Sequence, residues 1–195
     1  MSIFSYQHPI AIGSRVRFKT IYYAMPYIPA SNNPIWNEED EEHQRYSNFS
    51  KCIYSAKYKD SNCHYYLFKK DLAQNFSNFF TNYTNITSVL PIGSTHPLVN
   101  LFANYINTNY KIPIIDCIQK VEKSVFKIAD DIVIPDTGNI LVIDDITTSG
   151  AAVTSAVTCL VNQKSIDLDR IVILCIGKTE RDLIEWDTSK ILAFS

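Results

Sequence analysis

Two adjacent carboxylates, Asp144 and Asp145, stand between an apolar run and a hydroxyl-rich turn. The run is Ile140 to Ile143, and the turn is Thr147-Thr148-Ser149-Gly150. After the turn, Ala151, Ala152, Val153, Ala156, Val157, Leu160 and Val161 recur at helical spacing. A short β-branched run of this kind reads as a parallel strand buried on both faces. Strand, acid pair, turn and helix therefore form half of a βαβ unit. A helix N-terminus carries unpaired N–H groups and partial positive charge, so it suits a phosphate. Gly150 allows close approach and a positive φ without a Cβ clash. The acids lie one turn earlier, facing whatever the phosphate is attached to. The vicinal hydroxyls of a ribose have about that reach, and Asp oxygens also suit Mg²⁺.

Other residues with chemical potential are more scattered. Gly93-Ser94-Thr95-His96-Pro97 is a second Gly and hydroxyl turn, between an apolar run at 86–92 and a helical pattern carrying Leu98, Phe102 and Ile106. The connection from Gln119 to Gly138 carries Lys120, Lys123 and Lys127, and long connections inside compact domains are often functional. Ile132, Val133 and Ile134 read as a small hairpin arm within it. Gly177-Lys178-Thr179 follows the apolar run Arg170 to Ile176, at a strand's carboxyl end. The five cysteines include no C-x-x-C pair, which argues for packing in a reducing compartment rather than a disulfide framework. Cys52, Cys63 and His64 are a weak metal pattern.

The elements that must position these groups follow from patterning. At 195 residues the chain is one domain, or one domain with a small appendage. A net charge of −2 gives no sign of non-specific nucleic-acid binding, and no apolar run reaches a membrane-spanning length. No signal peptide pattern opens the sequence, so a cytoplasmic location is expected. Met1 to Gly13 reads as an irregular lead-in, and Arg15 to Tyr23 as a half-exposed strand ended by Pro26, Pro29 and Pro34. Tyr22, Tyr23, Met25 and Tyr27 are either an aromatic surface for a planar base or packing for an appendage, with packing favoured. Glu38 to Glu42 is an acidic run, and Phe49, Ile53 and Ala56 follow at helical spacing. Tyr65, Phe68, Leu72, Phe76, Phe79 and Phe80 predict an amphipathic helix ending near Asn82. Ile112 to Cys117 is a further short strand. The expected organisation is an N-terminal appendage over 1–60 and an α/β core over 61–195.

The stretch VIDDITTSGAAV resembles the signature of type I phosphoribosyltransferases, which bind 5-phosphoribosyl 1-pyrophosphate (PRPP). That signature is an apolar strand, two acids, two variable apolar residues and T-T-G-x-T. Asp144 and Asp145 match the acids, and Thr148, Ser149 and Gly150 match T-T-G with a hydroxyl kept at Ser149. Ala152 stands where the family usually has Thr or Ser, which removes one phosphate donor. The resemblance implies a doubly wound, mostly parallel sheet with a small N-terminal hood. It implies catalytic roles for Asp144 and Asp145 and a 5′-phosphate site at Thr148, Ser149, Gly150, Ala151 and Ala152. It places pyrophosphate at Gly93, Ser94 and Thr95, and makes Lys120 and Lys123 candidates for a flexible closing loop. Mg²⁺ would be carried by PRPP near the acids rather than held directly by the protein. The order of elements is also similar to ComF-type proteins linked to DNA uptake, where a segment comparable to Tyr54-Ser55-Ala56-Lys57-Tyr58-Lys59 precedes the core.

The implied activity is transfer of phosphoribose from PRPP to a nitrogenous base, with a homodimer allowed and no membrane partner. A PRPP- or nucleotide-sensing regulator without turnover is a second expectation. A ComF-like accessory factor in DNA uptake or repair is a third.

Overall fold

The computed structural model describes residues 3–29, 41–58, 72–93, 97–123, 125–180 and 191–192. It is an α/β structure built on a mixed sheet. The strands are β1 (Ile3–Ile12), β2 (Arg15–Tyr27), β3 (Ile86–Pro91), β4 (Ile118–Glu122), β5 (Val125–Ile128), β6 (Asn139–Thr147), β7 (Ile171–Thr179) and β8 (Ile191–Leu192). The helices are α1 (Glu41–Tyr58), α2 (Ala73–Asn82), α3 (Leu98–Tyr110) and α4 (Ala151–Lys164).

The main sheet has the order β3-β6-β7-β2-β1-β8. Strands β3, β6, β7 and β2 are parallel, while β1 runs antiparallel to both β2 and β8. On the outer side of β3, single parallel bridges join Val89 to Ile114 and Ile92 to Ile118. The expected strand at Ile112 to Cys117 is thus a bridged edge segment rather than a full ladder. Residues 3–12 are a strand and not an irregular lead-in. β1 and β2 are joined by the two-residue turn Gly13-Ser14, and β2 continues past Tyr23 through Pro26. Both strands fall within the expected appendage yet lie in the main sheet, with β2 laddered onto β7.

Alternation along β6 and β7 explains why their apolar runs are continuous. Leu141, Ile143, Leu174 and Ile176 enter a core with α1, α2 and α3. Ile140, Val142, Ile173 and Cys175 enter a second core with α4 on the opposite face. Successive strand side chains point to opposite faces, so a sheet covered on both sides needs an apolar residue at every position. Each such Leu or Ile removed from water contributes roughly 1.5–3 kcal/mol. In α2, Phe76, Phe79 and Phe80 face the first core, and buried Asn75 donates from Nδ2 to the Ala24 carbonyl at 2.7 Å. Part of the helix expected over 65–82 lies outside the described residues, including Tyr65 and Phe68.

The connection between β3 and β6 differs from the expected long loop. Its hairpin is β4–β5, whereas Ile132 to Ile134 form no strand and Val133 is 87% exposed. Phe126 and Ile128 pack toward α4, and Cys159 on α4 donates from Sγ to the Phe126 carbonyl. The remainder is tied down by cations. Arg170 donates to the Gly138 and Pro135 carbonyls at 2.9 and 2.6 Å, and Lys164 to Asp130 at 2.8 Å.

Candidate functional site at the carboxyl end of the sheet

β3 is followed by α3 on one face of the sheet, and its chain then passes to the outer side of β3. β6 is followed by α4 on the other face, and its chain passes to β7. The direction of winding therefore changes between β3 and β6. Ligands of open α/β sheets bind in the crevice outside the carboxyl ends of the strands at such a point. Gly93 ends one side of this crevice, and Asp144 to Gly150 end the other.

The acids do not follow the strand; they are inside it. β6 runs on to Thr147, with Ile146 paired to Gly177 and Thr147 to Lys178 on β7. Alternation then separates the two carboxylates. Asp145 follows the parity of Leu141 and Ile143, toward α1, and Asp144 that of Ile140 and Val142, toward α4. Both acids are buried, at 8% and 5% residual exposure for Asp144 and Asp145. Asp144 Oδ1 accepts the Asp145 N–H at 2.8 Å, and Asp145 Oδ1 accepts the Ile146 N–H at 2.5 Å. Asp145 Oδ2 receives the Lys57 ammonium of α1 at 2.8 Å, with side-chain exposures of 15% for Lys57 and 8% for Asp145.

Burial, and then the neighbouring Asp145 carboxylate, push Asp144 up to about 7; the Asp145 N–H, Lys57 and Lys120 act in the opposite direction. Burial works against the Lys57 ammonium, but Asp145 and other nearby negative charge outweigh it, and its pKa stands raised. Tyr27 is held above its usual range by burial, with Lys57 opposing. The crevice thus gathers Asp144, Asp145, Lys57, Tyr27 and the field of Lys120.

Gly150 sits at the N-cap of α4 with φ +75 and accepts the Thr154 N–H at 2.8 Å. A Cβ there would lie 2.4 Å from the His8 ring of β1. His8 Nε2 shares a hydrogen bond with Thr154 Oγ1 at 2.9 Å, and burial holds the imidazolium below its usual pKa. Thr148 and Ser149 are exposed, and the Thr148 hydroxyl pairs with that of Thr179 at 2.8 Å. Ala151 is exposed, whereas Ala152 packs against the α4-side core. Tyr6 reaches Thr147 Oγ1 at 3.2 Å, lies 5.2 Å from Lys178 Nζ, and has its pKa pushed by burial up to about 12. Lys178 is paired with Glu180 at 2.6 Å.

Of the other expected site residues, Gly93 directs its own N–H to the Ile118 carbonyl at 3.0 Å. A Cβ on Gly93 would lie 2.5 Å from that carbonyl oxygen, so this glycine serves close backbone approach. Ser94, Thr95 and His96 lie outside the described residues, as do Cys63 and His64. Lys120 is on β4 and Lys123 in the hairpin turn, both exposed. Tyr23 and Met25 are buried, in agreement with packing.

Lys57, Tyr6 and His8 were not among the candidates from sequence. Lys57 follows the core residues Ile53 and Ala56 at the end of an amphipathic pattern, a place that marks a boundary lysine without naming its partner. Among the described residues, no three His, Cys, Asp or Glu side chains group as a metal-ligand set. Asp144 and Asp145 offer carboxylate oxygens of the kind Mg²⁺ takes, and Asp145 Oδ2 already has the Lys57 ammonium at 2.8 Å. No described helix is long and apolar enough to cross a membrane. Compared with protein-family models, curated proteins and solved structures, the chain matches none.

Proposed function

We propose that the protein is a phosphoribosyltransferase of the type I kind, located in the cytoplasm, with PRPP as donor and a nitrogenous base as acceptor. One observation carries the reading: a buried acid pair lies near the carboxyl end of a central parallel strand at the winding change, shortly before a helix N-terminus entered through a positive-φ glycine. The 5′-phosphate of PRPP would rest on Thr148 to Ala152, where α4 begins and Thr148 and Ser149 are exposed residues. The ribose hydroxyls would meet Asp144 and Asp145, and pyrophosphate the residues Gly93, Ser94 and Thr95 that the resemblance implies. Mg²⁺, carried on the pyrophosphate, supplies charge neutralisation of the leaving group when bound.

In the transfer, the bond from C1 to the pyrophosphate oxygen breaks and a bond from C1 to a base nitrogen forms. The electron pair of the broken bond leaves with pyrophosphate. Positive charge develops on the ribose ring, and Asp144 and Asp145 stabilise it as fixed, water-shielded dipoles and charge rather than as nucleophiles. Asp144, with a pKa near neutrality, is also placed to hold the proton released by the base nitrogen.

A second reading, a regulator that binds PRPP or a nucleotide without turnover, is favoured by two specific features. Asp145 is already engaged by Lys57, and Ala152 offers no hydroxyl to a phosphate. The deciding experiment follows pyrophosphate release from PRPP with Mg²⁺ across purines, pyrimidines and related heterocycles. Base-dependent release supports transfer. Saturable PRPP binding without release for every base supports the regulator, and neither binding nor release removes both.

A further inference from the structure

The two carboxylates are adjacent in sequence but differently committed. Both oxygens of Asp145 have partners inside the protein, the Ile146 N–H and the Lys57 ammonium. Asp145 projects toward α1, while Asp144 projects toward α4 and the hairpin that carries Lys120. Lys57 meets Asp145 Oδ2 as an ion pair at 2.8 Å, and a single carboxylate oxygen cannot engage all three N–H donors of an ammonium. Lys57 is also largely shielded from water, so its charge acts with less screening than a surface lysine's. Tyr27, Tyr58 and Asp144 are the other titratable groups close enough to interact with it.

We propose that Lys57, anchored by Asp145, is a resident counter-cation of the site that bonds the anionic oxygens of the ligand. It thereby supplies charge that would otherwise have to come from a divalent cation. This rests on the phosphoribosyl reading above and deepens it: Asp144 serves the ribose, and Asp145 serves chiefly to position Lys57. The consequence is specific. PRPP binding by this protein tolerates removal of Mg²⁺ better than a site whose only cation is the metal. Lys57 also favours polyanionic ligands over neutral ribosides.

The test is calorimetric titration with PRPP in Mg²⁺ and, separately, in EDTA. It compares the unaltered protein with Lys57→Gln, Lys57→Arg and Asp145→Asn, each checked for folding by thermal melting. For the unaltered protein, replacing Mg²⁺ by EDTA is expected to weaken binding only a few-fold. In Lys57→Gln the loss in EDTA grows by about tenfold or more, the scale of one hydrogen bond to a charged group, while Mg²⁺ restores most of the affinity. Lys57→Arg keeps the tolerance, because charge is retained. Asp145→Asn shifts in the same direction as Lys57→Gln, and with Lys57→Arg it carries the test if the glutamine variant does not fold. Equal EDTA sensitivity in the unaltered protein and the variants overturns the proposal while leaving PRPP binding intact. Tighter binding by Lys57→Gln overturns it as well, since Lys57 would then be a blocker of Asp145. Absence of PRPP binding by the unaltered protein in both buffers overturns the phosphoribosyl reading itself, and the role of Lys57 falls with it.

Discussion

Two strand-and-helix units stand side by side at the carboxyl end of the sheet, and they treat their glycines differently. In β3–α3, Gly93 has an ordinary φ and is pressed against the Ile118 carbonyl. In β6–α4, Gly150 has φ +75 and is pressed against a side chain, the His8 ring. The first glycine holds the backbone of the edge segment to the sheet. The second shapes the entrance to a helix N-terminus and leaves hydroxyls exposed around it. The buried charge follows the same division, because β3 closes on Leu90 and Pro91 whereas β6 carries two buried carboxylates in its last residues. Neighbouring units of one sheet thus serve different ends, one mainly holding backbone together and one concentrating charge.

This contrast can be broken experimentally. Gly93→Ala is expected to have the largest effect on stability, about 3 kcal/mol in urea unfolding, because the new methyl meets backbone that cannot turn aside. A loss below about 1 kcal/mol would show that the edge segment moves easily. Gly150→Ala should cost about 2 kcal/mol, part from the left-handed backbone and part from displacing His8. Adding His8→Ala should recover about 1 kcal/mol of that, since only the backbone strain then remains. No recovery in the double variant would place the whole cost in the backbone.

The acids give a pH-dependent prediction. Asp144 has a folded pKa of about 7 against an ordinary 3.8, so between those values the native protein binds more protons than the unfolded chain. Stability from this group therefore falls as pH rises from about 4 to about 7. Asp144→Asn should raise the melting temperature relative to the unaltered protein at pH 8, with the gain fading toward pH 4. A variant less stable at pH 8 would contradict the assigned direction. The smallest stability effect is expected from Thr148→Ala. It removes one part-buried hydroxyl pair with Thr179 and should cost about 1 kcal/mol or less while leaving the fold intact.

The central fold was legible in sequence where both faces of a strand are buried. Ile140 to Ile143 and Ile171 to Ile176 are continuous apolar runs for that reason, and α3 and α4 repeat their apolar residues toward one core each. β1 was illegible because Ser5, Gln7, His8 and Pro9 interrupt any alternation. Beyond Ile3 and Phe4, its outer edge has no strand partner among the described residues, and an edge tolerates proline. β2 was read short because Pro26 suggests a break, yet β2 keeps its parallel register with β7 through Tyr27. Within the site, the acid pair, the hydroxyl turn and Gly150 were legible because they are contiguous. Lys57, Tyr6 and His8 were not, because each arrives from an element distant in sequence and only the folded topology brings it to the crevice. The separation of Asp144 from Asp145 by strand parity also required knowing that β6 continues through both.

The most direct measurement of the account is calorimetric titration of PRPP with Mg²⁺ into the unaltered protein and into the Asp144→Asn, Asp145→Asn double variant. The account predicts saturable one-site binding by the first and a loss of about 100-fold or more in the second, the scale of two charge-assisted hydrogen bonds. Equal affinity in both proteins, or no binding by the unaltered one, would contradict it.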